Sequence, residues 1–212
     1  MPPCWKDEVD ERLARVLGLT VAELRVPGIR VVEAPWPDYV GVNVLRLGET
    51  VVMAVGAPGP DGRTFGPSRH HYLHRDDFDR TLAAGTATRV TDPSELGDLR
   101  AAVPAEEWGE GGFGHDALPE VTWAARDEHG SVVAAGNMTD FAGEDTDVGL
   151  VTHPAHRGTG VATRLAADML VAAFDEEHRT VARYRALTTN TASLAVAARL
   201  GFEAYGENVV IR

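Results

Sequence analysis

The sequence predicts an α+β protein in which helices flank a mixed β-sheet. From residue 88 onward, strand-like and helix-like apolar patterns alternate in the order strand, helix, loop, three strands, helix, strand, helix, strand. Short polar turns join several strands as hairpins, which favours antiparallel neighbours. A third observation is a strand that runs directly into a glycine-bearing turn and a helix, over residues 147–162.

The first 85 residues are predicted to form a small accessory α/β region. Apolar residues at helical spacing predict an amphipathic helix over residues 8–18, and Thr20 with Glu23 has the spacing of a capping box. Alternating apolar residues predict strands at 29–34, 42–47 and 50–55, of which the last two form a hairpin. Residues 56–67 are turn-rich and are expected to be irregular.

Gly85 marks the predicted boundary to a second domain, residues 86–212. Asp92, Pro93 and Glu95 have the pattern of a helix start. Residues 104–116, which include Trp108 and Phe113, are either a loop that faces a substrate or a connector whose aromatic side chains fill the core. Further strands are predicted at 88–90, 121–125, 131–139, 147–152, 181–187 and 205–211, with a turn at 143–146 and helices at 161–174 and 190–200.

Charge and composition exclude several classes of partner. The 212 residues carry a formal net charge of −12 and show no basic face, so we expect no nucleic-acid partner. An acidic surface favours solubility and can attract a cationic amine. Cys4 is the single cysteine, and no apolar run approaches the roughly 18 residues of a membrane span. We therefore expect a cytoplasmic protein without membrane contact or leader.

Three histidines and two aspartates lie close together in residues 69–77. Their spacing matches no specific metal site, and two arginines lie in the same run. The pattern therefore favours a solvated loop or a subunit contact over a metal centre, and we expect no bound metal.

The strand–turn–helix junction at residues 147–162 is a predicted anion site. Backbone N–H groups converge at a helix start, where the helix dipole adds partial positive charge. Gly158 and Gly160 allow a ligand to approach the backbone closely. A phosphate or pyrophosphate suits such a site best.

Two motifs in this half of the chain are similar to those of a known superfamily. Arg157-Gly158-Thr159-Gly160-Val161-Ala162 fits the glycine-turn signature Gln/Arg-x-x-Gly-x-Gly/Ala, and it follows Thr152-His153-Pro154 at a strand end. Downstream, Asn190 begins a helix that ends in Leu200-Gly201-Phe202. In this order, the motifs of residues 88–212 resemble those of the GNAT acyltransferases.

The resemblance implies a mostly antiparallel central sheet, splayed where acetyl-CoA or another acyl-CoA binds. The pyrophosphate is expected on the backbone of the glycine turn, with the pantetheine arm beside the preceding strand and Asn190. The implied cofactor-binding residues are Val151, Thr152, Arg157, Gly158, Thr159, Gly160, Val161, Ala162 and Asn190. Neither the Walker nor the dinucleotide-binding pattern is present.

The resemblance also implies direct attack of a neutral amine on the thioester, assisted by a base and a proton donor. Glu144, Asp145 and Asp147 are the candidate bases, of which Asp147 is preferred. Ala197 occupies the position where the family often has a tyrosine proton donor. Ser193 is the substitute, although its hydroxyl can equally bond to the helix backbone. Tyr184, Arg185 and Tyr205 are further polar candidates.

The preferred function is therefore N-acetylation of a primary amine on a small molecule or peptide. A non-catalytic acyl-CoA-binding or sensing module is the alternative, and an interaction domain with a merely structural turn is a third possibility. The identity of the amine and a homodimeric state are left open by the sequence.

Overall fold

A computed structural model describes residues 5–59, 62–114, 119, 121–141 and 144–212. Cys4, residues 115–116 of the predicted loop and Gly143 of the predicted turn lie outside this part. The described helices are α1 Trp5–Leu17, α2 Val21–Arg25, α3 Gly97–Ala102, α4 Ala105–Glu110, α5 Val161–Val171 and α6 Thr191–Leu200. The strands are β1 Gly28–Glu33, β2 Val42–Leu47, β3 Thr50–Val55, β4 Thr64–His74, β5 Thr88–Arg89, β6 Val121–Arg126, β7 Val132–Phe141, β8 Glu144–Thr152, β9 Val181–Leu187 and β10 Glu203–Ile211.

The chain divides into two compact units that are interleaved along the sequence. Unit 1 contains Met1–Tyr72, Arg185–Leu194 and Glu203–Arg212, and unit 2 contains Leu73–Tyr184 and Ala195–Phe202. The domain boundary near residue 85 stays a prediction.

Unit 1 contains a five-stranded sheet in the order β1-β3-β2-β10-β4. β1 pairs with β3 in parallel, whereas the β2–β3 hairpin and the β10 pairings are antiparallel. The predicted hairpin and the Thr20–Glu23 capping box are both confirmed. The rings of Trp5, Tyr72 and Tyr205 pack together in the interior.

Two predictions in unit 1 are wrong. The segment predicted to be irregular, 56–67, already enters β4 at Thr64. The histidine run is not a solvated loop, because His70 and His71 are buried in that strand. His70 Nε2 lies 2.8 Å from Asn208 Oδ1 on β10, and this cross-strand partner explains how the polar ring is buried.

Unit 2 contains the strand order β9-β8-β7-β6-β5, with β9 belonging to it up to Tyr184. The β5–β6, β6–β7 and β7–β8 pairings are antiparallel, and β8 pairs with β9 in parallel. This mixed, mostly antiparallel sheet, flanked by helices, confirms the predicted fold class. The segment predicted as a turn at 143–146 is instead the beginning of β8, which starts at Glu144.

Helices cover both faces of the unit 2 sheet. α5 lies against one face, where a Cβ on Gly136 would overlap the Met169 sulfur. The other face carries an apolar cluster that includes Leu99, Trp108 and Phe113. Trp108 and Phe113 are only 3% and 2% exposed, so these aromatic side chains fill the core.

The segment around the predicted boundary is fixed to α5. The Asp168 carboxylate accepts hydrogen bonds of 2.7–2.9 Å from the N–H groups of four successive residues, 84 to 87. Charge-assisted bonds of this length are among the stronger ones in proteins. Asp168 therefore holds the chain in place directly before β5.

Candidate active site

The glycine turn, residues 157–160, lies between the end of β8 and the start of α5. A short 3₁₀ helix, Pro154–His156, leads into it. Gly158 and Gly160 have φ angles of +75° and +79°, in the left-handed region that strains any residue with a Cβ. The two predicted glycines thus have the backbone conformation that the motif requires.

The N-terminus of α5 is open to a ligand. Gly160 is the N-cap and supplies no side-chain oxygen, and no side chain within the described part of the chain caps the helix. The first-turn N–H groups therefore remain available. All four residues of the glycine turn are exposed, whereas Val161 and Ala162 are half-buried.

Cationic side chains lie beside this turn. Arg164 Nη1 donates to Thr159 O at 3.1 Å, which holds its guanidinium against the turn. Arg157 Nη2 forms an ion pair of 2.6 Å with Glu107 on α4, and its Nε donates to Thr152 O at 3.4 Å. The guanidinium of Arg157 is thus already engaged by a carboxylate, whereas its backbone N–H belongs to the turn.

Within unit 2, the ladder of the C-terminal half of β8 is to β7, along one of its two edges. Its ladder to β9 consists of Asp147↔Arg183 and Val148↔Tyr184. Its ladder to β7 continues to Val151 and Thr152, which pair with Ala135 and Ala134. Backbone groups along the other edge of this half can therefore pair with an extended ligand.

Asp147 lies in the first half of β8, beside Arg183 on β9. Arg183 Nη1 donates to Asp147 Oδ2 at 3.0 Å, and both side chains are largely buried. The other oxygen, Oδ1, is also buried but has no hydrogen-bond partner among the described residues. The side chains of Glu144 and Asp145 lie outside the described part.

Asn137 on β7 is a polar core residue that the sequence analysis did not single out. It is 1% exposed, and its Nδ2 donates to Gly111 O at 2.7 Å. A Cβ on Gly112 or Gly149 would lie within about 3 Å of the Asn137 amide, so both glycines make room for it. Asn137 Oδ1 lacks a hydrogen-bond partner among the residues that the structure describes.

Register places these polar groups on one face of the sheet. Asn137 pairs with Gly149, and Thr139 pairs with Asp147, so their side chains share the face on which α4 ends. Two buried acceptor oxygens, Asn137 Oδ1 and Asp147 Oδ1, therefore lie on neighbouring strands. Buried acceptors without partners are rare and suggest a donor that binds there.

Asn190 and Ser193 belong to unit 1. Asn190 Oδ1 accepts a hydrogen bond of 3.1 Å from the Ser193 N–H, which confirms Asn190 as the N-cap of α6. Ala197, in unit 2, is fully buried. In unit 1 the Tyr205 hydroxyl donates to Asp10, and burial followed by this hydrogen bond raises the pKa of the phenol.

Comparison with known proteins now decides the family. The family model for the acetyltransferase (GNAT) domain matches residues 72–203, more than half of the chain. This chain belongs to the GNAT family. Membership supports acyl transfer as the general class of chemistry. No curated protein matches the sequence.

Solved structures show the same fold at low identity. A GNAT-family acetyltransferase from Colwellia psychrerythraea is 17% identical with a TM-score of 0.51, over 70% of this chain and 56% of that one. A GNAT-family protein from Novosphingobium aromaticivorans is 16% identical with a TM-score of 0.50, over 82% of this chain and 75% of that one. This chain thus spans little more than half the length of the Colwellia protein.

Two further properties of the described residues bear on metal binding and on membrane insertion. Within residues 5–59, 62–114, 119, 121–141 and 144–212, no group of three or more His, Cys, Asp or Glu side chains could hold a metal ion. The helices in these residues are all too short or too polar to span a membrane.

Sequence reasoning missed Asn137, Gly111, Gly112 and Arg183, and it proposed Glu107 as a substrate contact without its ion pair to Arg157. The consecutive glycines at 111 and 112, just after a helix, were a usable signal of close backbone packing. Asn137, in an otherwise apolar strand, was another, because buried amides need a partner. The ion pairs of Glu107 and Arg183 had no comparable local signal.

Proposed function

We propose that this GNAT-family chain transfers an acetyl group from acetyl-CoA to a primary amine of a small molecule or peptide. The observation that carries the proposal is the open N-terminus of α5, with two left-handed glycines, directly after the half-paired end of β8. An uncapped helix start suits a pyrophosphate, and a free strand edge suits the amides of a pantetheine arm.

The residues fit an anionic acyl-CoA. Backbone N–H groups of residues 157–162 would hold the pyrophosphate, and the guanidinium of Arg164 adds positive charge beside them. Val151 and Thr152 would pair with the extended arm. When bound, acetyl-CoA supplies an acyl group already activated as a thioester. The assignment of Asn190 to this cofactor stays a prediction.

Asp147 is the proposed base. Its Oδ1 is the oxygen left over from the ion pair with Arg183, so it can accept a proton from the incoming ammonium, directly or through water. Arg183 holds the carboxylate in position through Oδ2. A backbone N–H near Thr152 is the proposed donor to the developing oxyanion.

Asn137 is proposed to assist at the acceptor side. Its Oδ1 can accept a hydrogen bond from the amine, while its Nδ2 fixes the end of α4 through Gly111. The formal net charge of −12 also favours the approach of a cationic amine. Ser193 stays the proposed proton donor to the leaving thiolate.

The test combines binding with turnover. Isothermal calorimetry should detect CoA and acetyl-CoA binding, and a thiol-release assay over a panel of primary amines should detect transfer. Absence of CoA binding at millimolar concentration would contradict the cofactor assignment. Tight CoA binding with no transfer to any amine would instead support the sensing module.

A further inference from the structure

One face of the unit 1 sheet is apolar and uncovered. Ladder pairings place alternate residues of β1, β3, β2 and β10 on this side. We name it the aliphatic face; it comprises the side chains of Ile29, Val31, Val42, Val44, Val51, Met53, Val55, Val209 and Ile211. None of these is buried, whereas Leu45, Val52 and Ala54 on the opposite face are.

The exposure on this face is unusual for such side chains. Ile29 and Val31 on β1 are each 68% exposed, and Ile211 and Val55 are 41% and 36% exposed. Scattered apolar residues are normal on a surface, but a continuous patch across four strands indicates an interaction site.

The charges around the face are balanced. Glu207 accepts bonds from Arg46 at 2.7 Å and from Arg69 at 3.0 Å, and Glu33 lies at the end of β1 on the same side. Two arginines and two glutamates leave this region formally neutral, although the chain as a whole carries −12. Two copies of an acidic protein can therefore meet here without net repulsion.

The outer edge of β1 is less suited to pairing with another strand. The Arg30 guanidinium donates to Ile29 O at 3.2 Å and to Val26 O at 3.3 Å, which occupies carbonyl groups at this end of the strand. Charged side chains on an edge strand discourage edge-to-edge pairing. Packing against the face, and not pairing along the edge, would cover the side chains of Ile29 and Val31.

We propose that the aliphatic face packs against the same face of a second copy, giving a two-fold symmetric dimer. An apolar face can pack against the same face of a second copy, as an isologous interface requires. If nine such aliphatic side chains are covered on each copy, the total buried area is on the order of 1,000 Å², at the low end of the range for specific interfaces.

The experiment compares two variants of the full chain by sedimentation velocity and light scattering. Ile29→Glu with Val31→Glu places two carboxylates on the face in each copy. Phe65→Glu is the matched control, because Phe65 is 52% exposed but its partner Val210 places it on the opposite side of the sheet. We expect a dimer for the wild type and for Phe65→Glu, and a monomer for the double variant.

A second readout needs no variant. Met53 lies within the face, so its oxidation by dilute peroxide should slow severalfold as protein concentration rises through the dimerisation range. A wild-type monomer at about 100 µM, where a stable interface of this size should be occupied, would overturn the proposal. A dimer that survives the double substitution, or Met53 oxidation independent of concentration, would do the same.

Discussion

The two halves of β8 form the candidate site by different means. The C-terminal half and the glycine turn present backbone groups: a strand edge without a ladder partner among the described residues of unit 2, two left-handed glycines, and a helix whose N-cap glycine has no capping side chain. The N-terminal half presents side chains, with Asp147 held by Arg183 and with Asn137 on the neighbouring strand. In the proposed function, the first arrangement would recognise a group common to all acyl-CoA donors. The second would offer the groups that distinguish one acceptor from another.

Asp147→Asn is expected to have the largest effect. Loss of the proposed general base should lower kcat by about 10³-fold, within the usual range for such groups. The measurement is kcat with acetyl-CoA and the amine both saturating.

Arg183→Gln is the control for that variant. It breaks the same ion pair but keeps the Asp147 carboxylate, so kcat should fall much less than in Asp147→Asn while a similar amount of stability is lost. Equal losses of kcat in the two variants would mean that Asp147 acts only as a partner of Arg183.

Gly160→Val tests the part of the candidate site that is formed by backbone groups, namely the C-terminal half of β8 and the glycine turn. A branched side chain at φ +79° is strained and lies over the helix start, so we expect acetyl-CoA to bind about 100-fold more weakly. Calorimetry measures this directly.

Gly130→Val supplies the matched strain control. Gly130 has φ +83° in the turn between β6 and β7, with open space around it. It should lose stability as Gly160→Val does, with unchanged CoA affinity. Equal affinity losses would show that the glycine turn has no special role in binding.

The contrast between backbone groups and side-chain contacts also explains what could be predicted from the sequence. Gly158, Gly160 and the Asn190 cap were predictable because each sets the conformation of its own few residues. The Asn137–Gly111 bond joins positions 26 apart and the Arg183–Asp147 bond joins positions 36 apart. Such partners depend on which strands become neighbours, which local patterns do not specify.

The histidine run failed as a prediction for the same reason. Its polarity resembles a loop, but Asn208, 138 positions away, supplies the partner that allows His70 to be buried. Strand and helix positions were largely predictable, whereas the polar contacts that complete the acceptor side were not.

Asn137→Ala tests the part of the candidate site that is formed by side chains, and its expected effect is smaller. Gly111 O loses its donor, which should cost about 1–2 kcal/mol of unfolding free energy. Because the amine also loses the Oδ1 atom proposed to accept its hydrogen bond, KM for the amine should rise about tenfold while KM for acetyl-CoA stays unchanged.

Asn43→Ala is the matched control in unit 1. Asn43 accepts a side-chain bond of 2.9 Å from Asn208, so its loss should lower stability without changing either KM. An Asn137→Ala enzyme with an unaltered KM for every amine would limit Asn137 to a structural role.

Glu107→Gln should have the smallest effect. Glu107 lies on α4, and its carboxylate contacts Arg157 of the glycine turn. The exposed ion pair with Arg157 contributes at most about 1 kcal/mol to stability. Removing the carboxylate takes a negative charge away from the glycine turn, so acetyl-CoA should bind about 2- to 5-fold more tightly, and less so at high salt. Glu106→Gln, one residue earlier on α4, changes the net charge equally and should have a smaller effect. Weaker binding in Glu107→Gln would mean that the ion pair is needed to order the glycine turn, and the part of the site formed by backbone groups would then depend on a side chain as well.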